Sequence, residues 1–194
     1  MNESWDDYAE GWDSDEDVIS YSDKAFSTLC EVINPEGLLI LDFGCGTGLL
    51  TERMATTADR IVAVDLSEKM ISVLENKQLS NVETLIAVLS EEIIKTHALF
   101  RLKYDLIVAS SVCSFLPDYE GTLGLLKTLL KSDGIFVQWD WLKTDEENDS
   151  GFNIEKIELA YQRAGLEKLF ITEAFSVEGE TGPMKVIMGV ARNA

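Results

Sequence analysis

Apolar residues recur along this chain in two alternating rhythms. Short continuous apolar runs, the mark of strands buried on both faces, are separated by stretches where apolar positions return every three or four residues. "SDKAFSTLCEVI" has the helical spacing and ends in the turn "NPEG". "LLILDF" predicts the first strand, "LLTERMATTA" a helix, and "RIVAVD" the second strand. "SEKMISVLENKQ" predicts a helix opened by Ser67 as its cap. "VETLIAVL" and "YDLIVASS" predict the third and fourth strands. "YEGTLGLLKTLLKS" is helical, Gly134 resets the chain, and "IFVQWDW" predicts the fifth strand. "IEKIELAYQRAG" is an amphipathic helix stopped by Gly165, and the strands "LEKLFITEAF" and "MKVIMGVA" follow.

Strand and helix alternating in this way predict an α/β fold, a doubly wound parallel sheet with helices on both faces. The end departs from that rule. Only "SVEGETGP" separates the last two strands, too short for a helical crossover, so they are expected to pair as an antiparallel hairpin. There is no internal repeat and no domain-scale linker. At 194 residues the chain is expected to be one domain, with a helical N-terminal cap over residues 1–34 and a sheet core over 35–194.

Composition changes the picture little, and charge changes it more. Hydrophobic residues make up 46% and charged residues 26%, as in a soluble globular protein. No apolar stretch approaches the roughly 18 residues of a membrane span, and the N-terminus is acidic where a signal peptide would be basic. The cytoplasm is the expected location. Cys30, Cys45 and Cys113 are odd in number and far apart, which fits small core residues better than disulfides or a metal site. The formal net charge of −19 disfavours nucleic acid and anionic membrane surfaces as partners. Nine carboxylates precede Lys24 and four lie within Thr144–Ser150, read as a mobile segment and a solvated loop.

Candidate chemistry sits where the first strand ends, in "DFGCGTG". Gly44, Gly46 and Gly48 would let the backbone pass close to a ligand beyond the carboxyl end of the strand. A dinucleotide loop of the form G-x-G-x-x-G counted from Gly44 needs glycine at position 49, which is Leu49. A buried carboxylate at Asp42 suits a ligand with an ammonium group rather than a pyrophosphate. Asp65, 21 residues past Gly44 at the end of the second strand, is placed to accept the hydroxyls of a ribose.

At these residues the chain resembles the class I S-adenosylmethionine-dependent methyltransferases. "ILDFGCGTGLLT" and "VAVDLSEKMI" match the family's first two motifs, "YDLIVASSVCSFLPD" is similar to its fourth-strand motif, and "LLKSDGIFVQ" resembles the entry to the fifth strand. The resemblance spans nearly the whole chain. It implies a Rossmann-like seven-stranded sheet in the order 3-2-1-4-5-7-6 with strand 7 antiparallel, and S-adenosyl-L-methionine as cofactor. It also implies roles for single residues. Gly44, Cys45 and Gly46 would lie under the methionine and ribose parts, with Asp42 near the amino group. Asp65 would hold the ribose, Leu66 and Met70 would sandwich the adenine, and Ser110 would offer backbone contacts to the methionine end. Val88 stands where relatives often carry an acid for the adenine amine, so either Ser90 or a backbone group makes that contact, or it is absent. Ser114 and Phe115 stand where many relatives have histidine.

"WDDYAEGWD" is similar to the opening of small-molecule members, whose leading segment folds over the cofactor. Trp5, Tyr8 and Trp12 would form one aromatic helical face and close as a lid, Tyr8 and Trp12 reaching the cofactor; Tyr21 is a further candidate for that wall. Methyl transfer from a sulfonium is an in-line displacement, for which alignment and a dry site supply much of the catalysis. A base is needed only where the acceptor keeps its proton. His97 is expected at a helix end or on the surface, and Trp139 and Trp141 in packing. Asp140, leaving the fifth strand, is the one weak candidate for a catalytic acid or base. The first reading is thus a methyltransferase acting on a small-molecule acceptor. Two others stand beside it: a protein that binds the cofactor without transfer, and a nicotinamide-dependent oxidoreductase.

Overall fold

The computed structural model describes residues 5–143, 151–179 and 182–194. The chain divides into two compact units. The first, Met1–Val88, holds α1 (Trp5–Tyr8), a 3-10 turn (Trp12–Ser14), α2 (Glu16–Val32), β1 (Leu39–Phe43), α3 (Leu49–Ala55), β2 (Arg60–Asp65), α4 (Glu68–Asn76) and β3 (Val82–Ile86). The second, Leu89–Ala194, holds α5 (Glu91–Thr96), β4 (Tyr104–Ser110), a 3-10 turn (Cys113–Phe115), α6 (Tyr119–Leu129), β5 (Leu130–Trp141), α7 (Ile154–Ala164), β6 (Glu167–Gly179) and β7 (Gly182–Arg192).

The strands form one seven-stranded sheet in the order β3-β2-β1-β4-β5-β7-β6. β1 and β3 flank β2 in parallel, β5 lies parallel to β4, and β7 runs antiparallel to both β5 and β6. The expected order, the reversed strand and the terminal hairpin are all present. The expectations for Thr144–Ser150, for residues 1–4 of the cap and for Glu180 and Thr181 of the hairpin lie outside the described residues.

In the first unit, Ile40, Leu41, Ile61, Val62 and Ala63 are wholly buried, as continuous apolar strands require. Ser67 caps α4, its side chain accepting from the Met70 N–H at 3.1 Å. The expected first helix starts earlier than the pattern "SDKAFSTLCEVI" suggests, because Asp15 caps it by accepting from the N–H groups of Asp17 and Val18. Glu16 and Asp17 then fill its first turn, where carboxylates oppose the helix dipole. Part of the acidic stretch read as mobile is thus helix cap. Cys30 is exposed rather than in the core, since the buried stripe of α2 runs through Tyr21, Ser22, Ala25 and Leu29 and Cys30 falls beside it. The third strand stops at Ile86 instead of reaching Leu89, because β2, its partner in this unit, ends at Asp65 opposite Ile86.

In the second unit, α7 ends at Gly165 in the left-handed region, as expected. The helix over "YEGTLGLLKTLLKS" ends at Leu129, and the chain enters β5 directly. A register shift against β4, between Tyr104 and Leu106, takes up Lys131 to Gly134. A Cβ on Gly134 would come within 3.0 Å of the Tyr104 and Lys131 carbonyl oxygens, so the bulge needs the absent side chain.

Candidate functional site

In the first unit the turn between β1 and α3 is built by the residues after Phe43. The N–H groups of Gly44 and Cys45 both donate to the Val64 carbonyl, at 2.8 and 3.1 Å, which ties the turn to the end of β2. Asp65 completes the tie. Its Oδ2 accepts the Gly46 N–H at 2.9 Å and its Oδ1 accepts the Ser67 N–H at 2.9 Å, so one carboxylate joins the glycine turn to the start of α4. Gly48 is left-handed and packed so closely that a Cβ would lie 2.3 Å from Leu74 Cδ1. Gly46 is also left-handed, yet a Cβ there would meet nothing within 4 Å. The turn is therefore tight on one side and open on the other.

Asp42, 1% exposed on β1, accepts from the Thr51 hydroxyl at 2.6 Å. Burial pushes its carboxyl up to about 7, and the charge of Asp65 adds to this while the Thr51 hydrogen bond opposes it. Burial likewise pushes the Cys45 thiol well above the usual range, with Asp42 and Asp65 adding. The Thr47 hydroxyl is buried and finds no hydrogen-bond partner among the described residues. An open glycine face beside an unpartnered buried hydroxyl and a buried carboxylate fits a small polar ligand with a cationic group. S-adenosylmethionine, with its ammonium and its ribose, satisfies that donor and acceptor set. Beyond Asp65, Leu66 is 57% exposed and Met70 2% exposed, so of the two residues read as sandwiching an adenine one faces solvent and the other is packed inside.

The N-terminal aromatics cluster, but not on one helix as expected. α1 ends at Tyr8, Gly11 takes φ of 87°, and Trp12 begins a separate 3-10 turn. The rings still meet, with centroids 5.9 Å apart for Trp5 and Tyr8, 6.5 Å for Trp5 and Trp12, and 6.2 Å for Tyr8 and Trp12. Carboxylates hold this segment to α4 at both ends. Asp6 accepts from the Ser67 hydroxyl at 2.5 Å and from the Lys69 N–H at 3.3 Å, and Asp13 pairs with Lys77 at 2.8 Å. These three contacts went unread in the sequence, where the acids look only like solubilising charge.

In the second unit, Ser90 caps α5, its side chain accepting from the Ile93 N–H at 3.3 Å. Val88, at the end of the first unit, is 72% exposed. His97 closes α5, and its Nδ1 accepts the Leu99 N–H at 3.4 Å, the helix-end role expected of it. Trp139 is wholly buried, in agreement with packing. Ser110 ends β4, half-buried, and Ser111 follows in the left-handed region at φ 53° with its N–H donating to the Trp139 carbonyl at 2.7 Å.

Asp140 is 0% exposed and lies in a polar network. Its Oδ1 accepts the Ser114 N–H at 3.1 Å and its Oδ2 accepts from Gln138 Nε2 at 2.9 Å. Gln138 Oε1 accepts in turn from the hydroxyls of Tyr119 at 2.6 Å and Tyr161 at 3.1 Å. Burial pushes the Asp140 carboxyl up to about 7, against the hydrogen bonds from Ser114 and Gln138 and the charge of Lys156. Sequence reasoning found Asp140 and missed the network of Ser114, Gln138, Tyr119 and Tyr161 around it. The available clue was an amide inside an apolar strand, two residues from an acid and so on the same face. Among the described residues no cluster of side chains could hold a metal ion, and no helix is long and apolar enough to cross a membrane.

Comparison with known proteins bears on this turn directly. A family profile described as "Methyltransferase domain" matches residues 41–136, from β1 to β5. A ubiquinone biosynthesis O-methyltransferase of Leptothrix cholodnii is 26% identical over 117 residues, 60% of this chain and 48% of that protein. A malonyl-[acyl-carrier protein] O-methyltransferase of Acetivibrio thermocellus is 33% identical over 120 residues, 59% of this chain and 40% of that protein. The matched stretch thus spans less than half the length of either relative. Among solved structures, a SAM-dependent methyltransferase from Aquifex aeolicus superposes with a TM-score of 0.74 at 20% identity, covering 97% of this chain and 98% of the other. At that identity the likeness is one of fold.

Proposed function

We propose, for a chain that belongs to the class I S-adenosylmethionine-dependent methyltransferases, that it transfers a methyl group from S-adenosyl-L-methionine to a small-molecule acceptor. The observation that carries this reading is the Asp65 carboxylate, which sets the glycine turn and α4 in one frame at the end of β2. A ribose bound there would share the acid that already holds the turn. Asp42 would face the cofactor's ammonium group, and Gly44, Cys45 and Gly46 would lie under its methionine and ribose parts, where the open face of Gly46 leaves room. Leu66 and Met70 are assigned to the adenine. Tyr8 and Trp12 are assigned to a covering segment that excludes water.

When bound, the cofactor supplies a methyl group already activated by its sulfonium, so the chain's own residues need to bind, orient and keep the site dry. The two relatives from Leptothrix cholodnii and Acetivibrio thermocellus carry names of oxygen methyltransferases, which supports an oxygen atom as acceptor. A hydroxyl acceptor near neutral pH calls for a base, a carboxylate acceptor does not.

Calorimetric titration with S-adenosylmethionine, S-adenosylhomocysteine and NADH tests the cofactor. Micromolar binding of the sulfur nucleotides, weakened in Asp65→Asn, is expected; tighter binding of NADH would overturn the reading. Transfer of labelled methyl groups to a pool of small hydroxy and carboxy compounds then separates an enzyme from a protein that only binds the cofactor.

A further inference from the structure

We propose that Asp140 is a proton-sensitive anchor for the turn that follows β4, oriented by Gln138, and that the two are positioning residues for the acceptor side of methyl transfer. The acceptor clause rests on the function proposed above; the anchor itself rests on the second unit alone.

Gln138 and Asp140 occupy alternate positions on one face of β5 and are both wholly buried. Two tyrosine hydroxyls, from α6 and α7, fill the Gln138 carbonyl oxygen. The amide nitrogen is then aimed at Asp140, which receives it on Oδ2. Oδ1 receives the Ser114 N–H, and the Cys113 thiol hydrogen-bonds the same carboxylate. Every partner is a donor, as an ionised carboxylate demands, and no ion pair among the described residues includes Asp140.

The anchored turn is held in a costly shape. Ser111 is a left-handed non-glycine residue, which persists only where its surroundings fix it. They do so through β5: Trp139 takes the Ser111 N–H and Asp140 takes the Ser114 N–H. Between these two ties Cys113 is buried, and just past the second Phe115 stands 54% exposed at the carboxyl edge of the strands, where ligands of α/β sheets bind. The anchor thereby sets where an aromatic face is offered to an acceptor.

A proton on Asp140 would oppose the Ser114 N–H or the Gln138 amide, donor against donor, and release one tie. The groups facing this carboxylate are Cys113 in the turn, Tyr119 on α6, and Tyr161 and Lys156 on α7, with Glu120 acting on Tyr119. Burial drives Cys113, Tyr119 and Tyr161 upward, away from neutrality, so the change near neutral pH belongs to Asp140. Lys156 Nζ lies 4.2 Å from the Phe152 ring centroid and donates to the Gly151 carbonyl at 3.4 Å.

Nuclear magnetic resonance of the whole chain tests this without an acceptor. The backbone amide of Ser114 and the side-chain amide of Gln138 would be followed from about pH 5 to about pH 9, a window that brackets a carboxyl near 7. Both signals are expected to titrate with one midpoint and to stay flat in Asp140→Asn. In Gln138→Leu the Ser114 midpoint moves up, because a donor to the ionised form is gone, and Ser114 amide exchange speeds by about tenfold. A purely structural glutamine would change exchange without moving the midpoint. A Ser114 amide indifferent to pH, or one that still titrates in Asp140→Asn, overturns the proposal; if that variant does not fold, the wild type and Gln138→Leu decide. Failure to bind S-adenosylhomocysteine would remove the methyltransferase reading while the titration stands. A flat Ser114 signal with S-adenosylhomocysteine bound would remove the anchor and leave that reading standing.

Discussion

Asp65 and Gly46 are joined across 19 residues by a 2.9 Å hydrogen bond from the Gly46 N–H to one carboxylate oxygen, while the other oxygen receives the Ser67 N–H. The acid assigned to a ribose is therefore also the brace of the glycine turn.

That double duty separates two substitutions. Asp65→Asn keeps one acceptor oxygen and is expected to retain most of the stability while weakening S-adenosylhomocysteine at least tenfold. Asp65→Ala strands two N–H groups and should cost about 1–3 kcal/mol of stability as well. Urea unfolding beside calorimetry distinguishes them. Equal stability of Asp65→Ala and wild type would show that the brace adds nothing.

Asp42, assigned to the cofactor's ammonium group, is expected to give cofactor affinity a pH dependence. Its carboxyl is held up to about 7, chiefly by burial. An ammonium group beside it favours the ionised form, so binding at lower pH must expel a proton. S-adenosylmethionine affinity is expected to rise as pH rises through about 7. Calorimetry in buffers of differing ionisation enthalpy would count the protons released. Asp42→Asn should bind more weakly and lose the dependence; a flat wild-type profile would place the ammonium elsewhere.

Much of this was legible in the sequence because it is local. Leu39–Phe43 reads as a strand from its own side chains, Ser67 and Gly165 mark helix ends by their own backbone needs, and the eight residues of "SVEGETGP" permit only a hairpin. The polar network around Asp140 was not legible, since Gln138 meets Tyr119 and Tyr161 across 19 and 23 residues. The break at Gly11, the cap at Asp15 and the ties of Asp6 and Asp13 to α4 were hidden for another reason. In so acidic a stretch, a carboxylate that bonds and one that only solvates look alike.

Stability should fall as pH rises from acid to neutral. Asp42 and Asp140 are both raised from the ordinary 3.8 to about 7, so the folded chain holds protons that the unfolded chain releases. That contribution is complete below 3.8 and is lost as pH rises through 7, at a cost on the order of 4 kcal/mol per group. The lowered carboxyls of Asp6, half-buried, and Glu91, exposed, act in the opposite sense and are screened by solvent. A thermal midpoint that drops between about pH 5 and about pH 8 is expected, with a shallower drop in Asp42→Asn and in Asp140→Asn. A midpoint that climbs over that window would mean the buried acids find partners that hold them ionised.

The two left-handed glycines of the turn should respond differently to alanine. At Gly48 a Cβ would overlap Leu74 Cδ1 at 2.3 Å in a backbone at φ 81°, so Gly48→Ala combines strain with overpacking and should cost about 2–4 kcal/mol. Leu74→Ala in the same chain would relieve the overlap but not the strain, so the double variant should recover part of the loss. At Gly46 the Cβ meets open space, and only the φ of 54° is unfavourable, at about 1 kcal/mol. The added methyl group would stand where the cofactor is assigned, so Gly46→Ala should keep the fold and lose S-adenosylhomocysteine binding. Urea unfolding and calorimetry on the two variants read both effects. Unimpaired binding by Gly46→Ala would move the ligand off the open face of the turn.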